Sequence, residues 1–134
     1  MENRPTHHGG TVRILVADDF EAWRIKVREI LGERQDWHII FETCDGLEAV
    51  RKSLELRPDN VLLDIGMPGL NGIEAAKRIR TASPNTKVIF VTQNTENEVR
   101  SAALATGADA YVVKSESAST LIPAIAAALC SKPI

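Results

Sequence analysis

The sequence has little of what marks several specialised classes of protein. Cysteine occurs only twice in 134 residues, and Cys44 and Cys130 are far apart and lack the close spacing of metal ligands. We interpret them as buried or incidental thiols in a reducing compartment, not as a disulfide framework or a zinc site.

Long apolar runs and a strong charge of one sign are also missing. No apolar stretch approaches the ~20 residues that a bilayer span requires, and the chain does not open with a basic segment followed by an apolar core. The formal net charge is -2, and no basic recognition helix is present. We therefore expect a cytoplasmic protein with no membrane span, no signal peptide and no direct binding to nucleic acid.

What remains is the composition of an ordinary globular domain, with 44% hydrophobic and 25% charged residues. Short apolar runs rich in branched residues alternate with segments of helical periodicity. The predicted strands are residues 12–17, 37–43, 60–64, 86–92 and 110–113. The predicted helices are residues 20–31, 47–54, 73–80, 99–105 and a last segment that ends near Cys130.

Several of these strands are almost continuously apolar, which is typical of parallel strands covered by helices on both faces. Right-handed crossovers leave few topologies for five successive strand–helix units. We predict an α/β, flavodoxin-like fold: a doubly wound (βα)5 parallel sheet of strand order 2-1-3-4-5 in a single domain.

Polar residues stand where the predicted strands end. Asp18 and Asp19 end the first strand, Asp64 ends the third, Thr92 ends the fourth and Lys114 follows the fifth. In an open parallel sheet these positions share one edge, and ligands bind there where the strand order reverses. The sequence therefore predicts a polar site at the carboxyl edge of the sheet.

The residue types at this edge favour phosphoryl chemistry. Three carboxylates held together repel one another, and hard oxygen ligands with room for water suit Mg²⁺. A lysine and a hydroxyl nearby would complete a phosphoryl-sized site with Asp64 as the nucleophile. Taken singly, Asp19 or Thr92 could cap a helix, Asp64 could be a turn residue, Lys114 a solvated surface lysine and Tyr111 a core residue.

Four segments together resemble the receiver domains of bacterial response regulators over residues 12–129. They are VADD at 16–19, LLDIGMPGLNG at 62–72, VT at 91–92 and GADAYVVKS at 107–115. The segment GMPGLNGIEAAKRIR at 66–80 is similar to the NarL/FixJ-like subgroup. The resemblance thus implies a member of two-component signalling.

The resemblance implies that Asp64 accepts a phosphoryl group from a sensor histidine kinase or a small acyl phosphate. It implies Mg²⁺ as the cofactor, ligated by Asp19, Asp64 and the backbone carbonyl of Gly66, with Asp18 acting through a water. Lys114 would contact the phosphoryl group and Thr92 would move towards it. Such a domain is a switch with slow autodephosphorylation, and not a turnover enzyme.

The remaining implied roles concern the surface around the site. Tyr111 would change rotamer after Thr92, while Gln93, Asn94 and Gly66 would govern access and the lifetime of the phosphorylated state. Ser115 stands where many receivers carry proline after a cis bond. We therefore expect a cis Lys114–Ser115 bond, despite a cost of ~2.5–4 kcal/mol before a residue other than proline.

We expect residues 1–11 to be a disordered tail, 12–130 the receiver domain, and 131–134 a tail or the start of a linker. Residues 121–130 carry no charge, whereas a surface helix needs a polar face. We expect this helix to be covered by a second copy of the chain or by an output domain. Members of the subgroup commonly carry a C-terminal DNA-binding domain, which implies transcription regulation as the output. Pro123 suits a helix that begins near residues 119–120, where its missing N–H is not needed.

Two other functions remain open. A receiver-like interaction module could bind partners without phosphorylation. The intact Asp64, Thr92 and Lys114 argue against it, but Gln93 keeps it open because receivers usually have a small residue there. A Mg²⁺-dependent phosphatase that uses Asp64 is disfavoured, since Gly66 stands where its second acid would be.

Overall fold

The computed structural model describes residues 10–130. The predicted C-terminal tail, and residues 1–9 of the predicted N-terminal tail, lie outside the described residues. None of the helices in the described range has the length and apolar character that crossing a bilayer requires. Cys44 and Cys130 are free thiols, and both are exposed, so neither is the buried thiol that the sequence allowed.

The sheet has the predicted five parallel strands in the predicted order β2-β1-β3-β4-β5. The strands are β1 (Val12–Ala17), β2 (Trp37–Thr43), β3 (Asn60–Leu63), β4 (Lys87–Thr92) and β5 (Ala110–Val113). β1 pairs with β2 on one side and with β3 on the other, so the strand order reverses at β1 and β3. The flavodoxin-like prediction is confirmed.

Five helices connect and cover the strands. They are α1 (Glu21–Leu31), α2 (Gly46–Leu56), α3 (Gly72–Ala82), α4 (Asn97–Leu104) and α5 (Ser117–Cys130). α2 and α3 begin earlier than predicted because side chains cap them. The Asp45 carboxylate accepts from the N–H groups of Leu47 and Glu48, and the Asn71 side chain accepts from the N–H of Glu74.

Alternate residues of each central strand face two separate apolar layers. Ile14 and Val16 pack with residues of α1 and α5, including Val27 and Leu121. The side chains between them in sequence pack on the other face with α2, α3 and α4, where Ile79 is fully buried. Burial on both faces explains why the strands are almost continuously apolar.

Two expectations at the start of α5 are wrong. The described residues contain no cis peptide bond, so Lys114–Ser115 is trans, as the cost of cis before serine favours. Lys114–Glu116 form a 3₁₀ turn that leads directly into α5 at Ser117, whose hydroxyl donates to the Lys114 carbonyl at 2.8 Å. Pro123 therefore lies inside the helix, beyond its first turn, and cannot donate to the carbonyl four residues earlier.

Only glycine fits at the start of α3. A Cβ atom at Gly72 would lie 2.0 Å from the carbonyl oxygen of Asp64, whereas a Cβ atom at Gly66 would meet nothing within 4 Å. The backbone of the β3–α3 connection thus passes directly against the first residue of α3, and this contact fixes the peptide that carries Asp64.

Gly72→Ala should therefore lower the free energy of unfolding by about 1–3 kcal/mol, because the backbone must move to admit the methyl group. Gly66→Ala is the matched control, and its effect should stay within about 0.5 kcal/mol. Urea denaturation of both variants checks this. Equal effects of the two substitutions would contradict the close approach.

Candidate functional site

The first two carboxylates are fixed by extensions of the strand hydrogen bonding. Asp18 follows β1, and its N–H donates to the Thr43 carbonyl at 2.9 Å. Asp64 follows β3, and its N–H donates to the Ala17 carbonyl at 2.9 Å. Both residues therefore extend the hydrogen bonding of the sheet by one residue beyond two adjacent strands, at its carboxyl edge.

Lys114 reaches this pair from the far side of β4. Its Nζ lies 2.7 Å from Asp18 Oδ2 and 3.9 Å from Asp64 Oδ2. The Lys114 side chain is only 9% exposed, so it is not a solvated surface lysine. A positive charge with so little solvent needs a carboxylate partner, and Asp18 supplies it.

The three predicted carboxylates do come together. One oxygen each of Asp18, Asp19 and Asp64 lies within 4.8 Å of the other two. Asp18 is buried, Asp64 half-buried and Asp19 exposed, so the cluster is open to solvent on one side. Such an arrangement can hold a small hard cation together with water.

The hydrogen bonds of Asp18 support a cation at this cluster. Its Oδ1 accepts from the N–H of Phe20 at 2.9 Å, while its buried Oδ2 has the Lys114 ion pair but no partner in hydrogen-bond geometry. A buried carboxylate oxygen with unused lone pairs is suited to a bound water or a metal. The donor set therefore fits Mg²⁺.

The capping alternatives are not supported. The N-cap residue of α1 is Phe20, without a side-chain capping bond, so Asp19 does not cap that helix. The N-cap residue of α4 is Glu96, so Thr92 does not cap that one. Both side chains are available to the site.

The charge of Asp64 is penalised in the folded state. Burial raises the pKa of its carboxyl, and the neighbouring charge of Asp18 raises it further. Lys114 opposes this shift, and hydrogen bonds from the Ile65 N–H and the Thr92 hydroxyl oppose it more weakly. The electrostatics thus leave Asp64 with a more basic carboxylate than an exposed aspartate has.

Thr92, Asn94 and Tyr111 form a continuous chain of contacts. The N–H of Asn94 donates to Thr92 Oγ1 at 3.2 Å, and the Tyr111 hydroxyl donates to the Asn94 carbonyl at 2.7 Å. Tyr111 is 9% exposed and belongs to the apolar layer of α2, α3 and α4, in agreement with the alternative that it is a core residue. The hydroxyl of Tyr111 connects it to the loop after β4.

The three residues expected to govern access to the site closely follow Asp64 or Thr92 in sequence. Gln93 and Gly66 are exposed, and Asn94 is half-buried. The side chain of Asn94 turns away towards α4, because its Oδ1 accepts from the N–H of Glu96 at 2.8 Å. No pattern in the sequence indicates that the backbone of Asn94 joins Thr92 to Tyr111.

Sequence reasoning missed Arg24 of α1. Its guanidinium donates to the carbonyl of Asp18 at 2.7 Å and lies 3.5 Å from Glu42 of β2. Arg28 binds the same carboxylate with two hydrogen bonds, but its side chain is 53% exposed and it does not contact Asp18. A basic residue on an amphipathic helix looks like any solvated charge in sequence, so no local pattern marks it.

The comparisons with known proteins agree with this geometry. The family model for the response regulator receiver domain matches residues 14–126. The chain belongs to the response regulator receiver family. The receiver resemblance inferred from the four segments is thereby confirmed.

The relatives support the predicted subgroup. The chain is 34% identical over 114 residues to the response regulator protein VraR of Staphylococcus saprophyticus, a match that covers 85% of this chain and 54% of that protein. The chain therefore spans about half the length of the curated relatives it matches.

Solved structures of LuxR-family regulators are also similar. One from Aurantimonas sp. is 31% identical with a TM-score of 0.85, covering 92% of this chain and 89% of that chain. Another, a DNA-binding response regulator from Staphylococcus aureus, is 31% identical with a TM-score of 0.82, covering 88% and 98%. These matches confirm the NarL/FixJ-like assignment.

The raised pKa of Asp64 predicts a pH-dependent stability. Since the folded protein holds this proton more tightly than the unfolded chain, the free energy of unfolding should fall as pH rises from about 3.8, the ordinary pKa, through the raised folded value. Asp64→Asn removes this penalty. The variant should exceed wild type in stability at pH 7.5, and the difference should shrink towards pH 4 in urea denaturation with EDTA. A difference that does not change with pH would contradict the assignment.

Arg24→Met should lower the free energy of unfolding by about 1.5–3 kcal/mol, because a partly buried hydrogen bond from the charged guanidinium to the Asp18 carbonyl is lost. Arg28→Met removes a solvent-exposed pair with Glu42 and should cost no more than about 1 kcal/mol. Thermal or urea unfolding of the two variants distinguishes them. The reverse order would show that Arg24 does not anchor the β1–α1 connection.

Proposed function

We propose that this receiver domain is a phosphorylation-dependent switch that takes a phosphoryl group onto Asp64 from a sensor histidine kinase. The observation that carries the proposal is the position of the Lys114 ammonium, 2.7 Å from Asp18 and 3.9 Å from Asp64 beside a third carboxylate. Phosphoryl transfer needs mainly positioning and neutralisation of charge, and this cluster offers both.

Asp19, Asp64 and the Gly66 carbonyl would hold Mg²⁺, with Asp18 acting through a water. When bound, the ion neutralises charge on the phosphoryl oxygens. The unused lone pairs of Asp18 Oδ2 and the open side of the cluster support this assignment. Gly66 leaves space at the mouth because nothing lies near its missing side chain.

In the proposed reaction, a carboxylate oxygen of Asp64 forms a bond to phosphorus as the bond from phosphorus to the donor breaks. The donor atom keeps the electron pair, and the product is an acyl phosphate on Asp64. Burial and Asp18 raise the pKa of Asp64, which makes its carboxylate more nucleophilic than that of an exposed aspartate. The Lys114 ammonium would shift from Asp18 towards the new phosphoryl group.

The signal would leave the site through Thr92. Its hydroxyl would turn towards the phosphoryl oxygens, and the loop after β4 would follow because the N–H of Asn94 is bonded to it. The Tyr111 hydroxyl, bonded to the Asn94 carbonyl, would then change its position. A new dianion would thereby bias the surface formed by α4, β5 and α5.

The output of this switch would be transcription regulation in the cytoplasm through a DNA-binding domain, as the LuxR-family relatives suggest. The chain spans only about half of the curated relatives, so this is a proposal about the whole protein. The cover for α5, a second copy or an output domain, also stays a prediction. Pro123 and Ala127 are exposed on that helix, and residues 121–130 carry no charged side chain.

Intact mass after incubation with phosphoramidate or acetyl phosphate tests the proposed chemistry. Wild type with Mg²⁺ should gain the mass of one phosphoryl group, and Asp64→Ala should gain none. Wild type in EDTA should react far more slowly.

No gain in wild type, with Mg²⁺ binding confirmed by tryptophan fluorescence, would contradict the switch. Restoration by Gln93→Ala would then indicate an obstructed mouth. Failure of that variant as well would favour the interaction module that works without phosphorylation.

A further inference from the structure

The turn between β2 and α2, residues 43–46, contacts two of the chain segments that form the carboxylate site. Thr43 is the last residue of β2 and is only 4% exposed. Its carbonyl accepts the N–H of Asp18 at 2.9 Å, so the position of Asp18 depends on that of Thr43. Any contact that fixes Thr43 therefore also acts on the site.

The hydroxyl of Thr43 ties this residue to α2. It donates to Oε1 of Glu48 and accepts from the N–H of Asp45 at 3.2 Å. Asp45 is the N-cap residue of α2, and its Oδ1 accepts from the N–H groups of Leu47 and Glu48 at 2.7 and 3.3 Å. A single buried hydroxyl thus joins the end of β2 to the first turn of α2.

The first turn of α2 also supports the β3–α3 connection, which carries Gly66. The N–H of Gly46 donates to the Pro68 carbonyl at 3.4 Å. A Cβ atom at Gly46 would lie 1.8 Å from the carbonyl oxygen of Leu70, so the two backbones are in direct contact with no room for a side chain between them. The start of α2 and the β3–α3 connection therefore cannot shift independently.

We propose that Thr43 is a positioning residue for the Mg²⁺ site and that it acts through its hydroxyl. The inference rests on the proposed function, which assigns Asp18, Asp19, Asp64 and the Gly66 carbonyl to the ion. Thr43 holds Asp18 through its carbonyl, and through its hydroxyl and α2 it supports the connection that bears Gly66. Without the hydroxyl, Mg²⁺ would have to order these groups on binding, which lowers its affinity.

Thr43→Val tests the hydroxyl, because valine has a similar shape and keeps the backbone carbonyl. Thr86→Val is the matched control. Thr86 is 2% exposed and its hydroxyl also makes two hydrogen bonds, at 3.0 Å to the Pro58 carbonyl and at 2.8 Å with Ser83 Oγ, but it immediately precedes β4 at the amino edge of the sheet. Both variants should lose stability to a similar extent in urea denaturation.

Two measurements without a phosphodonor distinguish positioning from a purely structural role. In Thr43→Val the dissociation constant of Mg²⁺, measured by tryptophan fluorescence, should rise by about ten-fold, the lower end of the effect of outer-shell partners. In EDTA, the Asp18 N–H should exchange with solvent faster than in wild type, because its acceptor is no longer fixed. Thr86→Val and Thr43→Ser, which keeps the hydroxyl, should match wild type in both measurements.

The rate of phosphorylation separates binding of the ion from the transfer step. With saturating Mg²⁺, phosphoramidate should modify Asp64 in Thr43→Val at a rate within about three-fold of wild type, since the defect lies in binding the ion. A loss of rate that saturating Mg²⁺ does not restore would contradict a role in positioning the ion.

Equal Mg²⁺ affinity in Thr43→Val and wild type would overturn the proposal, as would an equal loss of affinity in Thr86→Val. If Thr43→Val does not fold, Glu48→Met removes the acceptor of the same hydroxyl, and unchanged exchange of the Asp18 N–H in that variant would overturn the proposal. Failure of wild type to bind Mg²⁺ would overturn the proposed function and the inference with it. Failure of phosphoramidate to modify a wild-type protein that binds Mg²⁺ would overturn the proposed function alone.

Discussion

The buried ammonium of Lys114 is the constraint on which the site depends. Burying an ammonium with so little exposure costs free energy unless a carboxylate lies against it, and Asp18 provides that carboxylate at 2.7 Å. Asp18 can do so because the Thr43 carbonyl and Arg24 hold its backbone at the end of β1. The same pairing leaves Asp64 near a positive charge without neutralising it fully. One arrangement therefore positions both the Asp64 carboxylate and the ammonium beside it.

The fold and the main residues of the site could be predicted because they depend on short-range patterns. Continuous apolar strands separated by helices determine a parallel sheet, and residues at strand ends must then share an edge. Asp18, Asp19, Asp64 and Lys114 could therefore be placed together from sequence alone. Placing these residues requires only the type of residue that follows each strand, and this can be read directly from the sequence.

The features that could not be predicted depend on contacts between distant segments or on backbone atoms. Arg24 has the sequence signature of any helical surface charge, and its bond to the Asp18 carbonyl exists only after α1 packs on the sheet. The link from Thr92 to Tyr111 uses the N–H and carbonyl of Asn94, which every residue type except proline offers. The trans Lys114–Ser115 bond contradicts an expectation that gave family resemblance more weight than the cost of a cis bond before serine.

The backbone link at position 94 separates two properties that a regulator must adjust independently. In the proposed switch, the main chain of Asn94 joins Thr92 to Tyr111, while its side chain is bonded towards Glu96. In that switch, replacement of this side chain would change how long the signal persists, without breaking the connection that transmits it. The lifetime of the phosphorylated state and its transmission would then depend on the same residue but on different atoms.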